Sequence, residues 1–168
     1  AHGALFANLA LNPDWVRRAK RVEESQRAEY LRLASWLDLY DLRRLAARLQ
    51  FDLEVCESDR PESLGARWAE LMFDATRVRH DPRGFLTRLG QRFGSARELR
   101  ARLLSATLAR ALEERFDEDW SRNPRSGKFL RQWLAGGLSR DATELSELLG
   151  QTGLVADPLI ATIRDRLG

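Results

Sequence analysis

The chain has 168 residues, of which 43% are hydrophobic and 32% are charged. This balance is typical of a globular protein and excludes a disordered chain. The 28 Lys and Arg residues are nearly matched by 25 Asp and Glu residues. Because the two signs alternate through every segment, we interpret them as solvated helix faces and expect no nucleic-acid partner.

The cysteine content and the apolar runs set the expected compartment. Cys56 is the only cysteine, so an internal disulfide is impossible and a reducing, cytoplasmic location is expected. No apolar run approaches the ~20 residues that span a bilayer. The opening residues also lack the basic and apolar regions of a signal peptide. We therefore expect a cytoplasmic chain with no membrane partner.

Proline, glycine and a scarcity of β-branched residues divide the chain into helices and leave no convincing strand. A short apolar segment, ALFANLAL, ends at Asn12, and Pro13 suits the first turn of the next helix. Beyond a break near residues 20–25, helices are predicted at about 24–57, 62–79, 82–90, 93–120, 124–135, 140–149 and 156–166. The sequence thus predicts an all-α fold, a multi-helix bundle of about seven to eight helices with one or two long ones, in a single domain spanning residues 1–168.

Apolar spacing predicts which side of each long helix is buried. The stripe of the longest helix comprises Tyr30, Leu33, Leu37, Tyr40, Leu42, Leu45, Leu49, Leu53 and Cys56. Cys56 is therefore predicted to be a buried structural thiol. The next two core faces are predicted to be Leu64, Trp68, Leu71 and Met72, and then Leu99, Leu103, Ala106, Leu108 and Leu112. Ser95 and Glu98 have capping-box spacing, which predicts Ser95 as an N-cap. We expect all five tryptophans, Trp15, Trp36, Trp68, Trp120 and Trp133, to anchor the core.

Residues for zinc or covalent chemistry are sparse. His2 and His80 share no helical spacing, and with one Cys they make no recognisable zinc set. His80 is interpreted as a loop residue or helix C-cap. No HExxH, phosphate-binding glycine loop or nucleophile elbow occurs in the sequence. The adjacent pair Glu113 and Glu114 diverges on a helix, which favours a surface role. We therefore expect no catalytic residue, metal site or cofactor in this chain.

Three arginines are the only candidate substrate-binding residues. Arg97, Arg100 and Arg102 lie on one predicted helix and could contact a carboxylate or a phosphate. The alternative, a solvated helix face, is the commoner origin of such a pattern.

The C-terminal region carries a more specific pattern. The stretch ALEERFDEDWSRNPRSGKFLRQWLAGGLSRDATELSELLG has a helix that closes on Phe116, a turn at Asn123-Pro124 and a glycine before Phe129-Leu130-Arg131. Gly136-Gly137 then leads to an acidic short helix that ends in Gly150. This order resembles the C-terminal end of the thimet oligopeptidase and oligoendopeptidase family of zinc metallopeptidases. DPLIATIRDRL stands where the closing helix of that family would lie.

The N-terminal region of the chain resembles the same family. HGALFANLALNPDWVRR is similar to the family segment that follows the first zinc-binding helix, and YDLRRLAARLQFDLEV resembles the long helix after it. The resemblance implies that the HExxH motif lies upstream of Ala1. The downstream Glu ligand of the family has no clear counterpart in the chain, so it either lies just before Ala1 or is lost. The resemblance also places Leu99, Arg100 and Arg102 where active members carry a Gly-Tyr-Tyr-rich stretch. Substrate recognition is therefore expected to be altered, as in a divergent or inactive relative.

The leading hypothesis is that the chain is the C-terminal helical part of such a peptidase and completes one wall of a peptide-binding channel. Its partner would be a peptide or the N-terminal part of the same protein, with zinc held by that part. The alternative is a stand-alone helical interaction or scaffold module that binds a partner helix or peptide. In either case Pro124 and Gly136-Gly137 are predicted to fold a terminal cap onto the longer helices.

Overall fold

The computed structural model describes residues 2–19, 22–87, 93–137 and 139–167. Within these ranges it contains helices, turns and no strand, which confirms the all-α prediction. The α-helices are α1 (His2–Ala7), α2 (Pro13–Ala19), α3 (Arg27–Glu57), α4 (Gly65–Thr76), α5 (Gly94–Phe116), α6 (Pro124–Leu134), α7 (Ala142–Glu147) and α8 (Asp157–Leu167). Short 3₁₀ turns lie at Asn8–Leu11, Glu24–Gln26, Pro61–Ser63, Pro82–Thr87 and Trp120–Arg122.

The predicted boundaries agree with these elements except around residue 82. The helix predicted at 82–90 is a 3₁₀ turn at Pro82–Thr87, and residues 88–90 lie outside the described ranges. The predicted break before the longest helix is present, because α2 ends at Ala19 and α3 begins at Arg27. With 31 residues, α3 is about 47 Å long at 1.5 Å per residue.

The chain forms two compact units. Unit 1 comprises Ala1–Ser35 and Arg100–Gly168, and unit 2 comprises Trp36–Leu99. Helices α3 and α5 each contribute residues to both units.

The core of unit 1 joins the two ends of the sequence. Leu5 of α1 is buried in the same cluster as leucines of α5 and residues that follow α5. The buried members of this cluster are Leu5, Leu104, Leu108, Ala111, Leu112, Trp120, Leu130, Trp133 and Leu149. Removal of this much apolar surface from water is the main force that holds the short terminal helices in place.

Local signals build the terminal cap as predicted. Asn123 is the N-cap of α6, and its side chain accepts a hydrogen bond from the backbone N–H of Arg125 at 3.0 Å. Pro124 is the first residue of α6, a position whose N–H has no partner within a helix, so the missing N–H of proline costs no hydrogen bond. Beyond the end of α6, Gly137 has a φ of 56°, a conformation that disfavours a Cβ. Backbone geometry therefore accounts for the positions of Asn123, Pro124 and Gly137.

Asp141 begins α7 with a full capping box. Its carboxylate accepts hydrogen bonds from the backbone N–H groups of Glu144 and Thr143, and the Glu144 side chain accepts one from the Asp141 N–H. These N–H donors stabilise the ionised carboxylate and lower the pKa of Asp141.

Unit 2 is built around an aromatic cluster. Phe51 of α3 packs edge-on against Trp68 of α4 and against Phe85, with ring centroids 5.1 and 6.0 Å apart. Met72 and Leu71 complete the buried face of α4, as the sequence predicts. An edge-on arrangement brings the positive ring edge towards the negative ring face, which adds to the gain from burial.

Two polar links tie α3 to α4. The Nε and Nη2 of Arg67 each lie 2.9 Å from a carboxylate oxygen of Glu54, which forms a bidentate ion pair. This pair lowers the pKa of Glu54 and raises that of Arg67. At the other end of α4, Arg43 donates to the backbone carbonyls of Ala75 at 2.6 Å and Asp74 at 3.1 Å.

The predicted buried face of α3 is confirmed at Leu45, which is buried, and is wrong for most of the stripe, which is exposed. Ala47 and Phe51, which lie outside the predicted stripe, are buried as well. Cys56 is also exposed, so its prediction as a buried thiol is wrong. The physical reason is that leucines occur on every side of this helix, so spacing alone does not define one buried face.

Other core predictions are confirmed in part. On α5, Ala106, Leu108 and Leu112 are buried, while Leu99 and Leu103 are only partly so. The tryptophan prediction holds for Trp68, Trp120 and Trp133 and is wrong for Trp15 and Trp36, which are exposed.

Ser95 does not cap α5 as predicted. It lies inside the helix that begins at Gly94, is buried, and its hydroxyl donates a hydrogen bond to the carboxylate of Asp52 on α3. The Ser95 hydroxyl therefore bonds to a residue distant in sequence, whereas the capping-box spacing predicted that it would bond to a backbone N–H of its own helix.

Candidate functional site

One groove in unit 1 has a lining that is partly apolar and partly polar. This unit 1 groove lies between residues 5–13, α5 and α8, and has a volume of about 460 Å³. Its apolar lining includes Leu5, Leu9, Ala106, Trp120 and Leu159. Its polar and charged lining comprises Asn8, Asn12, Arg110, Glu113, Thr162, Asp165 and Arg166. Apolar walls with a few polar groups are the usual composition of a ligand site.

The wall formed by residues 5–13 is held by specific hydrogen bonds. Asn12 caps α2, because its Oδ1 accepts a hydrogen bond from the Trp15 N–H at 2.9 Å. The hydroxyl of Tyr30 donates to the carbonyl of Ala10 at 3.2 Å. Together with the burial of Leu5, these contacts fix the short helix and 3₁₀ turn that form one side of the groove.

The charges of the groove are of both signs. Desolvation raises the pKa of Glu113, and the nearby carboxylates Glu118 and Glu114 raise it further, while the attraction of Arg166 lowers it. The Nε of Arg110 lies 2.9 Å from Oε1 of Glu114. Apolar side chains and charges of both signs therefore line the same groove.

A second concavity adjoins the first across the same N-terminal segment. It has a volume of about 670 Å³ and is lined in part by Phe6, Trp15 and Arg18, and it shares Leu9 and Asn12 with the unit 1 groove. An ion pair between Arg18 and Asp119 joins α2 to the turn that follows α5. The N-terminal segment therefore has a concave surface on both of its sides.

The three arginines proposed from the sequence do not meet at one point of α5. Arg97 and Arg100 are three residues apart and lie on neighbouring positions of the helix surface, whereas Arg102 follows Arg100 by two residues and projects elsewhere. Arg100 donates to the Thr143 hydroxyl at 3.4 Å and attracts the carboxylate of Asp141. None of the three lines the unit 1 groove.

The histidines and Cys56 are the side chains for which the sequence predicts no metal site. His80 lies in the loop after α4, where its Nε2 is 3.5 Å from the Thr76 hydroxyl, and the His2 side chain lies outside what the structure describes. Among the described residues, no group of three or more His, Cys, Asp or Glu side chains could hold a metal ion.

Sequence reasoning does not find the groove itself. The helical spacing of Glu113 and Glu114 indicates surface carboxylates, and Asn8, Thr162 and Asp165 belong to no recognisable motif. The groove forms only when segments from both ends of the chain pack together, so no local spacing could have found it. The one signal in the sequence is the apolar segment before Asn12, which indicates a buried N-terminal region.

No helix in the described ranges combines the length and apolar composition that a membrane crossing requires. Comparisons of the chain with protein-family models, with curated proteins and with solved structures gave no match.

Proposed function

We propose that the chain is the C-terminal helical part of a zinc metallopeptidase similar to the thimet oligopeptidases, or of a divergent relative without peptidase activity. In this proposal it forms one wall of a peptide-binding channel. The zinc and the HExxH motif belong to an upstream part, and no residue of this chain acts as a catalyst.

The observation that carries the proposal is the shared core of unit 1. The sequence resemblance rests on two segments at opposite ends of the chain, HGALFANLALNPDWVRR and the region from Phe116 to Gly150. Leu5 of the first segment is buried with Leu130 and Trp133 of the second. The two segments thus form one structural unit, which supports a common functional origin for them.

The unit 1 groove supports the proposed channel wall. It is open, it has an apolar lining beside charges of both signs, and one side of it is the segment that would follow the first zinc-binding helix. An extended peptide offers side chains of both kinds to such a surface.

The first test is the sequence of the parent reading frame upstream of Ala1, followed by zinc analysis and peptide cleavage with the full-length protein. An HExxH motif followed by Glu, with bound zinc, is expected. A reading frame with neither motif nor zinc would instead favour a stand-alone helical interaction module.

A substitution in the groove tests the channel wall. Ala161 is exposed and lines the groove, so Ala161→Trp fills it without disturbing the core. We expect the full-length protein with this change to bind a fluorescent peptide library at least tenfold more weakly, while Ala161→Ser leaves binding unchanged. Equal binding by both variants would show that peptides do not use this surface.

A further inference from the structure

Helix α6, within unit 1, carries a surface that the proposed function does not use. Three exposed cationic side chains of this helix, which we call the α6 basic row, are Arg125, Lys128 and Arg131. The alternation of charge along the chain does not extend to this region, because residues 120–140 contain five Arg or Lys and no Asp or Glu. Since the whole chain has a formal net charge of only +3, its excess positive charge is concentrated here.

Helical spacing brings the α6 basic row onto the side of α6 that is opposite its core. At about 100° per residue, positions 125, 128 and 131 fall within an arc of about 120° and extend over about 9 Å of helix axis. The buried residues of α6 lie on the other side of the helix: Ser126, Leu130 and Trp133. Packing of that buried side onto the core of unit 1 therefore presents the row to solvent.

A fourth cation lies beside the row, at the C-terminal end of α5. Arg115 is exposed, and its guanidinium lies over the ring of Phe129, 4.9 Å from the ring centroid. The same ring packs against Phe116, with centroids 5.9 Å apart, which joins α5 to α6. Phe129 follows Arg125 by four residues, so the two are neighbours on the surface of α6. The ring thus orients Arg115 next to the row and leaves its charge in place.

The cations of the row have no carboxylate partner within the part of the chain that the structure describes. No Asp or Glu of that part forms an ion pair with Arg125, Lys128 or Arg131. Elsewhere in unit 1, by contrast, Arg17 pairs with Asp14. Three exposed positive charges therefore remain available to a partner.

The row also opposes the stability of its own helix. Like charges at neighbouring positions of a helix repel one another. Arg125 lies in the first turn of α6, which has no acidic residue, and a cation is unfavourable there because the helix dipole is positive at that end. The Asn123 cap and the burial of Leu130 and Trp133 stabilise the helix instead. Charges that weaken the element that bears them are expected at interaction sites.

The surroundings of the row favour a short acidic segment over a nucleic acid. The row extends over only about 9 Å of helix axis. Five acidic residues precede α6 closely in sequence: Glu113, Glu114, Asp117, Glu118 and Asp119. A long polyanion that continues beyond the row meets this acidic region and is repelled by it. A lipid surface is disfavoured as well, because the apolar side of α6 is already buried in unit 1.

We propose that the α6 basic row binds an acidic segment of a partner protein. Asp or Glu side chains of that segment pair with Arg125, Lys128 and Arg131, and a further one reaches Arg115. Arginine suits this role because its planar guanidinium can hold a carboxylate through two parallel hydrogen bonds. Salt should weaken the binding, because exposed charges are screened over about 10 Å at 0.1 M salt. None of these four residues lines the unit 1 groove, so this site goes beyond the proposed function.

Fluorescence anisotropy with three labelled ligands tests the proposal. The first is a peptide of about 18 residues, in which glutamates recur every three to four positions among alanines and glutamines. The second peptide has lysines in place of the glutamates, and the third ligand is a single-stranded oligonucleotide with as many negative charges as the first. At low salt we expect the 168-residue chain to bind the glutamate peptide at least tenfold more tightly than either control, and less tightly as salt rises.

Matched variants locate the binding. Arg125→Gln with Arg131→Gln should weaken binding of the glutamate peptide at least tenfold. Arg32→Gln with Arg164→Gln removes the same charge from exposed positions on α3 and α8 and should have little effect. The row variant should also melt at the same temperature as the natural chain or higher at low salt, because it loses repulsion within α6. That measurement separates a loss of binding from a loss of fold.

Four results would overturn the proposal. The first is no binding of the glutamate peptide, and the second is equal or tighter binding of the oligonucleotide, which would assign the row to a nucleic acid. The third is equal weakening by both double variants, which would mean that the peptide responds only to net charge. The fourth is a lower melting temperature of the row variant, which would make the row part of the framework of the fold. None of them depends on zinc or cleavage, so they are distinguishable from failure of the proposed function.

Discussion

Glu113 derives its properties from its neighbours in the fold rather than from its neighbours in sequence. The residue is exposed at the rim of the unit 1 groove, yet partial desolvation by the groove walls raises its pKa, and the attraction of Arg166 only partly opposes this effect. The native state therefore holds this proton more tightly than the unfolded state does. The contribution to stability is present below the unfolded pKa and is lost as the pH rises through the higher folded pKa.

Replacement of Glu113 by Gln should show this dependence. Glu113→Gln removes a charge that is unfavourable in the fold at neutral pH, so the variant should gain melting temperature relative to the natural chain as the pH rises from about 3 to 7. Thermal unfolding across that range measures the difference. Glu147→Gln, on α7 and outside the unit 1 groove, is the matched control. A difference independent of pH would mean that Glu113 is not desolvated.

At the scale of single elements, short-range signals predict helix ends better than helix faces. The starts of α6 and α7, predicted at about residues 124 and 140 and observed at Pro124 and Ala142, are predicted correctly because a helix start depends on a few neighbouring residues. The prediction for the buried face of α3 is wrong except at Leu45, because leucines occur on several sides of that helix. The prediction for Ser95 is wrong because Asp52, 43 residues away in sequence, binds its hydroxyl.

The start of α4 depends on a close approach that only glycine permits. A Cβ on Gly65 would lie 2.8 Å from the backbone carbonyl oxygen of Pro82 and 3.3 Å from the ring of Phe85. Because the oxygen belongs to the backbone, the clash can be relieved only by moving the turn at Pro82–Thr87.

Gly65→Ala is therefore expected to lower the free energy of unfolding by about 1–3 kcal/mol, the usual cost of overpacking. Gly94→Ala, at the start of α5, is the matched control, because nothing lies within 4 Å of the position that its methyl group would take. Urea unfolding of both variants measures the difference. Equal stability of the two would contradict the close approach to Pro82.

At the scale of the whole molecule, the N-terminal segment is part of the core of unit 1. The all-α class follows from the sequence, since Gly and Pro divide it into helical segments. The pairing of the segment around Leu5 with Leu130 and Trp133 does not, because it joins residues more than a hundred positions apart. The unit 1 groove depends on that pairing, so it is not predictable either.

Neighbouring residues of α1 test how strongly this segment is held. Leu5 is 1% exposed and Phe6 is 53% exposed. Leu5→Ala should lower the free energy of unfolding by about 2–5 kcal/mol, as large-to-small changes in a core do, whereas Phe6→Ala should change it little. Chemical denaturation of the two variants makes the comparison. Similar losses for both would show that Leu5 is not a core residue.

The hydrogen bonds from Arg43 have a consequence for how α4 ends. Helices commonly end at a glycine with positive φ, yet Arg77 takes this position with a φ of 61°. Arg43 donates to the carbonyls of Ala75 and Asp74, which the helix itself leaves without N–H partners. Residues from two distant places in the sequence, Arg77 itself and Arg43 on α3, thus define the end of α4, with no glycine at the terminal position.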